Sequence, residues 1–403
     1  MFVTPLFKLM ADKQASDMFF TCGAPIQIKI NGVVMPINEQ RLTPDQVHAI
    51  CYELMSPQQA KEFNEVHEMN FARRGEGGPD GAVGNFRVNI FMQRNTVGMV
   101  IRYIKPDVPA FESLGLPPVL KEVIMEKLGL ILIVGSTGSG KSTTMASMID
   151  YRNAVRSGHI LTIEDPVEFA FRHKKSIVNQ REVRVDTHSY EAALISAMRE
   201  APDLLMIGEV RDRPTLQSAL LFAQTGHLCM TTLHANNSYN ALNRIINFFP
   251  RDMRDAVLAD LSIGVRCVIS QRLVRTADGR RVPAVEVMLN TKLIQELSAK
   301  GDIGAIKEAM EQSMSSGSQT FEQALFKHYQ AGTITLDEAL ANSDSPTNLR
   351  WLIDNAMTEK AQKPKPAAPG APAAGAAPTP GAAASTKAPD DLSNFKLNLD
   401  ALN

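Results

Sequence analysis

Cysteine pairs are missing from this chain: Cys22, Cys51, Cys229 and Cys267 are scattered over 403 residues and form no C-x-x-C. A disulfide frame and a zinc knuckle are therefore not expected, and reduced thiols are. No uninterrupted apolar run approaches the roughly 18 residues that span a bilayer. Met1–Phe20 mixes Lys8, Asp12, Lys13 and Asp17 among its apolar residues and so lacks a signal-peptide core. An excess of one charge is absent too. The 42 Lys and Arg face 43 Asp and Glu, and a net charge of −1 gives no global positive field to draw in nucleic acid. These gaps leave a cytoplasmic chain whose membrane association would run through a partner. The rest of the composition, 21% charged and 44% hydrophobic, is that of a globular protein. Its length calls for two domains or more.

What is present begins with Gly135-Ser136-Thr137-Gly138-Ser139-Gly140-Lys141-Ser142, a complete phosphate-binding loop. The apolar run Leu130–Val134 before it has the character of a buried parallel strand, and a helical pattern from Ser142 follows. Glycines let backbone N–H groups close around phosphates, Lys141 supplies a point charge, and the Ser142 hydroxyl can ligate Mg²⁺. The helix aims its positive end at the same anion. Strand before and helix after point to nucleoside triphosphate binding, where a bare glycine-rich turn would not.

The first hundred residues form a small α+β pattern. Ile26–Ile30 alternates, Asn31-Gly32 turns, and Val33–Ile37 returns, which predicts a hairpin. Thr43-Pro44-Asp45 opens a helix. Residues 73–84 hold five glycines and a proline, the composition of a hairpin tip. Phe86, Val88 and Ile90 then face inward, with Arg87 outward. A proline-bearing connector over 106–118 marks a boundary. Beyond it strands at Leu130–Val134, Ile160–Ile163, Leu204–Ile207, Leu228–Thr232 and Val282–Val287 are expected. They alternate with helices at Ser189–Arg199, Pro214–Gln224, Tyr239–Phe249 and Asp252–Val265, which argues an α/β fold with a largely parallel sheet. Residues 291–356 read as three or four short helices broken at Gly301, Gly317 and Gly332. Residues 357–389, mostly Ala, Pro and Gly from Lys363 on, read as a disordered spacer. At the end, Leu392, Phe395, Leu399 and Leu402 share one helical face, so residues 390–403 form either a docking helix or a frayed acidic tail.

Three segments beyond the phosphate loop carry chemistry. Glu164-Asp165-Pro166-Val167-Glu168 follows the second buried strand, and three carboxylates exceed what a turn needs, although a solvated turn also fits. Leu204–Ile207 ends at Gly208-Glu209, the form of a Walker B strand whose acid secures a Mg²⁺ shell. His227 and His234 flank the strand at Leu228–Thr232. His234 at its end could sense a γ-phosphate or simply be structural. No third nitrogen or thiolate lies at zinc spacing.

Together these segments resemble the type II/IV secretion ATPases, with Glu164–Glu168 as Asp box, Gly208–Asp212 as Walker B and Thr225–Asn236 as His box. Within them the chain is similar to the PilT/PilU group of type IV pilus twitching-motility ATPases, through residues 85–91, 179–183 and 320–325. Where PilT proteins carry an AIRNL motif, residues 290–297 here read Asn-Thr-Lys-Leu-Ile-Gln-Glu-Leu, which favours the PilU branch. The resemblance covers residues 1 to about 355. It implies an N-terminal PAS-like domain over 1–105, a RecA-like ATPase core over 119–290 and a C-terminal helical extension. It also implies ATP and Mg²⁺ as ligands, with nucleotide held by Gly135, Ser136, Thr137, Gly138, Ser139, Gly140, Lys141, Ser142 and Thr143. Glu168 matches the catalytic base, Glu209 and Ser142 the metal support and His234 the γ-phosphate sensor, while Arg87 and Arg102 are candidate arginine fingers. A homohexamer at the cytoplasmic face of the inner membrane is implied as well, working with a PilT-like retraction ATPase and a pilus platform protein.

Overall fold

The computed structural model describes residues 2–30, 32–76, 82–104, 108–312 and 317–362. The chain divides into two compact units, with the boundary between Lys105 and Pro106.

In the N-terminal unit six antiparallel strands form one sheet, in the order β3-β2-β1-β6-β5-β4. They are β1 (Asp17–Phe20), β2 (Gln27–Ile30), β3 (Val33–Pro36), β4 (Glu68–Glu76), β5 (Ala82–Gln93) and β6 (Thr96–Ile104). The expected hairpin is β2–β3, with Ile30 opposite Val33 and Gly32 at φ 84°, a conformation in which a side chain is strained. Asn31 and the glycine-rich tip at 77–81 lie outside the described residues. The helix Pro44–Leu54 starts at Thr43, whose hydroxyl accepts from the Gln46 N–H while the Gln46 side chain accepts from the Thr43 N–H. Period-2 alternation along β5 buries Phe86, Val88 and Ile90 completely. Phe86 stacks on Phe7 with ring centroids 4.2 Å apart and lies 5.1 Å from Tyr103, which closes a PAS-like α+β core.

The second unit is built on a seven-stranded sheet in the order β13-β12-β7-β11-β10-β8-β9. Its strands are β7 (Gly129–Val134), β8 (Gly158–Glu164), β9 (Ser176–Glu182), β10 (Leu204–Ile207), β11 (Leu228–Leu233), β12 (Val265–Arg275) and β13 (Arg281–Leu289). All neighbours pair in parallel except β12 with β13. Helices on both faces cover it, as expected of a RecA-like core. Every residue of β7, β10 and β11 is buried, hence the unbroken apolar runs of β7 and β10.

Two strands escape a sequence reading. In β9 the only apolar residues are the adjacent Ile177 and Val178, and Ile177 faces outward, so no strand periodicity shows. In β12 the run is interrupted by Ser270, Gln271 and Arg272, whose polar groups are used inside the fold. The expected connector over 106–118 is in part core: Phe111 and Leu116 are buried, and Phe111 lies 6.1 Å from Tyr151.

Among the described residues after β13 there are five α-helices rather than three or four: Lys292–Lys300, Ile306–Glu311, Phe321–Gln330, Leu336–Ala341 and Pro346–Gln362. Gly301, Gly317 and Gly332 adopt positive φ at the anticipated breaks, and Ser345-Pro346 makes the additional one. The last helix continues through residues 357–362, where a spacer was expected. The remainder of that spacer and the 390–403 segment lie outside the described residues.

Removing the Phe86 ring should cost about 3–5 kcal/mol by cavity formation. Calorimetry of Phe86→Ala should show one transition lowered by roughly 10 °C or more, and a shift under about 2 °C would contradict this packing.

Candidate nucleotide-binding site

Four parallel strands end in register and create the site. Ile207 of β10 stands opposite both Ile163 of β8 and Thr231 of β11, while Leu233 stands opposite Val134 of β7. The residues that follow emerge at one edge of the sheet: Glu164, Glu209, His234 and the phosphate loop. This is where an open α/β sheet binds its ligand.

The loop runs from Gly135 to Gly140 and leads into the helix Lys141–Val155. Gly135 has no room for a side chain, since a Cβ would sit 2.5 Å from Ser139 Oγ and 2.6 Å from the Gln271 carbonyl oxygen. At Gly140, with φ 90°, a Cβ would meet Gln271 Nε2 at 2.6 Å. Gln271 itself binds the loop. Its amide donates to the Ser139 carbonyl at 2.8 Å, and its Oε1 accepts from Thr144 Oγ1 at 2.7 Å. Lys141 Nζ donates to the carbonyls of Gly135 at 2.9 Å and Ser136 at 2.8 Å. Partial burial pulls the ammonium below its ordinary range, opposed by the nearby charges of Glu209 and Glu168.

A cleft of about 600 Å³ opens over the loop, and Lys141, Ser142, Glu168, Glu209 and His234 all line it. Ser142 Oγ donates to Glu168 Oε1 at 2.9 Å, which ties the first helical turn to the end of the Asp box. His234 Nε2 lies 3.0 Å from Glu209 Oε1, and Arg211 Nε donates to Glu209 Oε2 at 2.9 Å. A second cleft of about 750 Å³ shares Gly140, Thr143, Leu273 and Arg281 with the first and continues past Leu116 and His328. Ser136 and Thr137 are exposed on the loop, Gly138 is open at φ 79°, and Ser139 is buried beneath it.

The two glutamates of the Asp box have different surroundings. Glu168 is exposed in the cleft. Glu164 is buried, with Oε1 accepting from Thr162 Oγ1 at 2.7 Å and from Gln180 Nε2 at 3.1 Å. Burial raises its carboxyl from an ordinary 4.5 to about 7, against the lowering effect of those two donors. The Asp165-Pro166 peptide bond between them is cis.

Arg87 and Arg102 belong to the N-terminal unit. They are direct partners across β5 and β6. Arg102 Nε donates to Oδ1 of the buried Asp17 at 2.8 Å, and its side chain is otherwise exposed. Arg87 is half-buried.

Sequence reasoning missed Gln271, Tyr190 and Arg281. Tyr190 and Arg281 line the first cleft. Burial, then the negative charge of Asp165, pushes the Tyr190 hydroxyl above its ordinary range. The sequence signal for Gln271 is an amide that interrupts the apolar run of β12. Among the described residues no group of three His, Cys, Asp or Glu could hold a metal ion alone, and no helix is long and apolar enough to cross a membrane.

The Glu164 environment has a pH consequence. The folded chain holds this proton up to about pH 7 and the unfolded chain releases it near 4.5. The folded state therefore binds more protons between those values, and stability from this group falls as pH rises through the window. Relative to Glu164→Gln, the unmodified protein should lose on the order of 2–3 kcal/mol between about pH 5 and 7.5, read as melting temperature against pH. Parallel curves for the two proteins would refute it.

Comparison with known proteins agrees with this geometry. A family model described as type II/IV secretion system protein matches residues 3–349. The chain is 48% identical over 349 residues to the type IV pilus ATPase PilU of Pseudomonas aeruginosa, covering 86% of this chain and 90% of that protein. It is 39% identical over 346 residues to PilT of the same organism, described as a type IV pilus retraction ATPase, covering 86% and 99%. A crystal structure of the pilus retraction motor PilT with bound ADP superposes with a TM-score of 0.80 at 39% identity, covering 87% of this chain and 99% of that one. The Legionella pneumophila ATPase DotB, at 24% identity and a TM-score of 0.69, shares the fold. A phosphate loop where the parallel strands of a RecA-like sheet end, an acid-rich cleft above it and these relatives lead to one assignment: the chain belongs to the type II/IV secretion system protein family, among its PilT/PilU-type ATPases of type IV pili.

Proposed function

We propose that this chain is the ATP-hydrolysing subunit of a hexameric motor that retracts type IV pili. The observation that carries the reading is the convergence of Lys141, Ser142, Glu168, Glu209 and His234 on one cleft at the ends of four in-register strands. In this reading the loop amides of Gly135–Gly140 and Lys141 bind the phosphates, and the second cleft receives the nucleoside. Glu168 takes a proton from the attacking water as its oxygen bonds to the γ-phosphorus and ADP departs. His234, held on Glu209, contacts the γ-phosphate oxygens.

The donors present suit Mg²⁺, which takes only one or two protein oxygens besides phosphate and water. Ser142 and Glu209 would hold it, and it would neutralise phosphate charge. Arg87 and Arg102 are proposed to act on nucleotide as well. The ring would sit at the cytoplasmic face of the inner membrane against a platform protein, reaching the membrane only through partners and binding no nucleic acid.

A second reading has its own support. The Asn290–Leu297 stretch departs from the PilT motif, and Leu293 within it is 51% exposed. An accessory role alongside a PilT-like retraction ATPase follows if that surface transmits force in PilT.

Glu168→Gln should lower ATP turnover by about 10²–10⁴-fold with nucleotide binding kept, and Lys141→Ala should weaken binding itself. A wild-type rate in Glu168→Gln removes it as base. Arg87→Ala is expected to bind nucleotide and assemble normally but turn over about 10³-fold or more slowly. Unchanged steady-state hydrolysis would exclude it from the site.

A further inference from the structure

Asn236 and Asn237, which follow His234 closely, are held by residues distant in sequence. Arg272 in β12 donates from Nη2 to the Asn236 carbonyl at 3.2 Å and to Asp344 Oδ1, and from Nη1 to the Asn342 carbonyl. Its guanidinium lies 4.0 Å above the Phe321 ring, which fixes the plane of the fork. Asn237, 2% exposed, donates from Nδ2 to Asp344 Oδ2 at 2.8 Å while its Oδ1 caps the helix Ser238–Asn247 through the Asn240 N–H. One residue on, the Ser238 N–H donates to the buried Glu286 at 2.8 Å, a carboxylate that also accepts from Ser270 Oγ at 2.9 Å. The Asn342–Ser345 turn is itself anchored, since the Ser345 N–H donates to buried Glu322 at 2.7 Å.

Two of these bonds end on the short loop between His234 and the helix behind it, one from Arg272 at Asn236 and one from Asp344 at Asn237. One carboxylate, Asp344, bridges that loop to the turn preceding the last helix, and Arg272 ties both to the sheet. A movement of the C-terminal helices is therefore passed to Asn236 and Asn237, two and three residues from the imidazole.

We propose that the Asn342–Ser345 turn is a positioning element for His234, acting through Arg272 and Asn237, so that the C-terminal helices set the rate of ATP turnover. This rests on His234 being the γ-phosphate sensor. Asp344 lines neither cleft, so its effect is expected in kcat and not in nucleotide affinity. A group misplaced by about 1 Å can lose up to 10²-fold in rate.

The test is steady-state hydrolysis by the full-length chain carrying Asp344→Ala, Asn237→Asp, His234→Ala and the combination of each with His234→Ala. Asn237→Asp keeps the capping oxygen and sets two carboxylates face to face, so it serves even if Asp344→Ala folds poorly. Asp344→Ala and Asn237→Asp should each lower kcat about tenfold with KM for ATP within about twofold, and neither should slow His234→Ala further. If His234→Ala is slow while both clasp variants stay within about twofold of wild type, the inference fails and the sensor reading stands. Losses that multiply with His234→Ala also overturn it. A wild-type rate in His234→Ala removes the sensor reading and the inference together.

Discussion

The site depends on how β12 meets β7. Their pairing shifts register between Val265 and Cys267, so that Ser270 stands opposite Val134 and Gln271 comes level with Gly135. Without that shift Gln271 would lie one residue further along and its side chain would turn to the other face of the sheet. In place, its amide spans the loop, holding the Ser139 carbonyl on one side and the Thr144 hydroxyl on the other. The glycines at 135 and 140 follow from the same contact, because Gln271 occupies the space their side chains would need. A loop shaped to present N–H groups to phosphate is thus shaped by a neighbour in the sheet.

Electrostatics then divides the carboxylates by depth. Glu164 ends β8 inside the sheet layer, and burial holds on to its proton despite two donors. Glu168, four residues later, stands in the open cleft with the Ser142 hydroxyl on it. Glu209 is shared between Arg211 and His234, so the acid at the end of β10 is tied to the histidine at the end of β11. Residues of similar chemistry in sequence acquire different roles because Glu164 is still within its strand while Glu168 and Glu209 stand beyond the strand ends.

The C-terminal helices are joined to this centre by polar groups as well as packing. Val274 and Ala284 share an apolar cluster with Phe321, Leu325 and Leu349, while Arg272, Asp344 and the buried Asn237 form a partly buried polar bridge beside it. Such a bridge favours one arrangement, because removing its other members leaves the buried Asn237 amide without its partner.

By itself the sequence determined the phosphate loop, the strand-and-helix alternation of the second unit, the β2–β3 hairpin and the three acid- and histidine-bearing segments. Each is a local pattern whose periodicity or turn chemistry is written in consecutive residues. The family resemblance extended that reading to PilT/PilU-type ATPases. Only the tertiary structure decided that β9 and β12 are strands, that Gln271 and Tyr190 belong to the site, and that Asp344 reaches the loop after His234. The Gln271 and Asp344 contacts join residues 107 to 132 positions apart, and a polar residue buried by a distant partner has the same local sequence as one left in water.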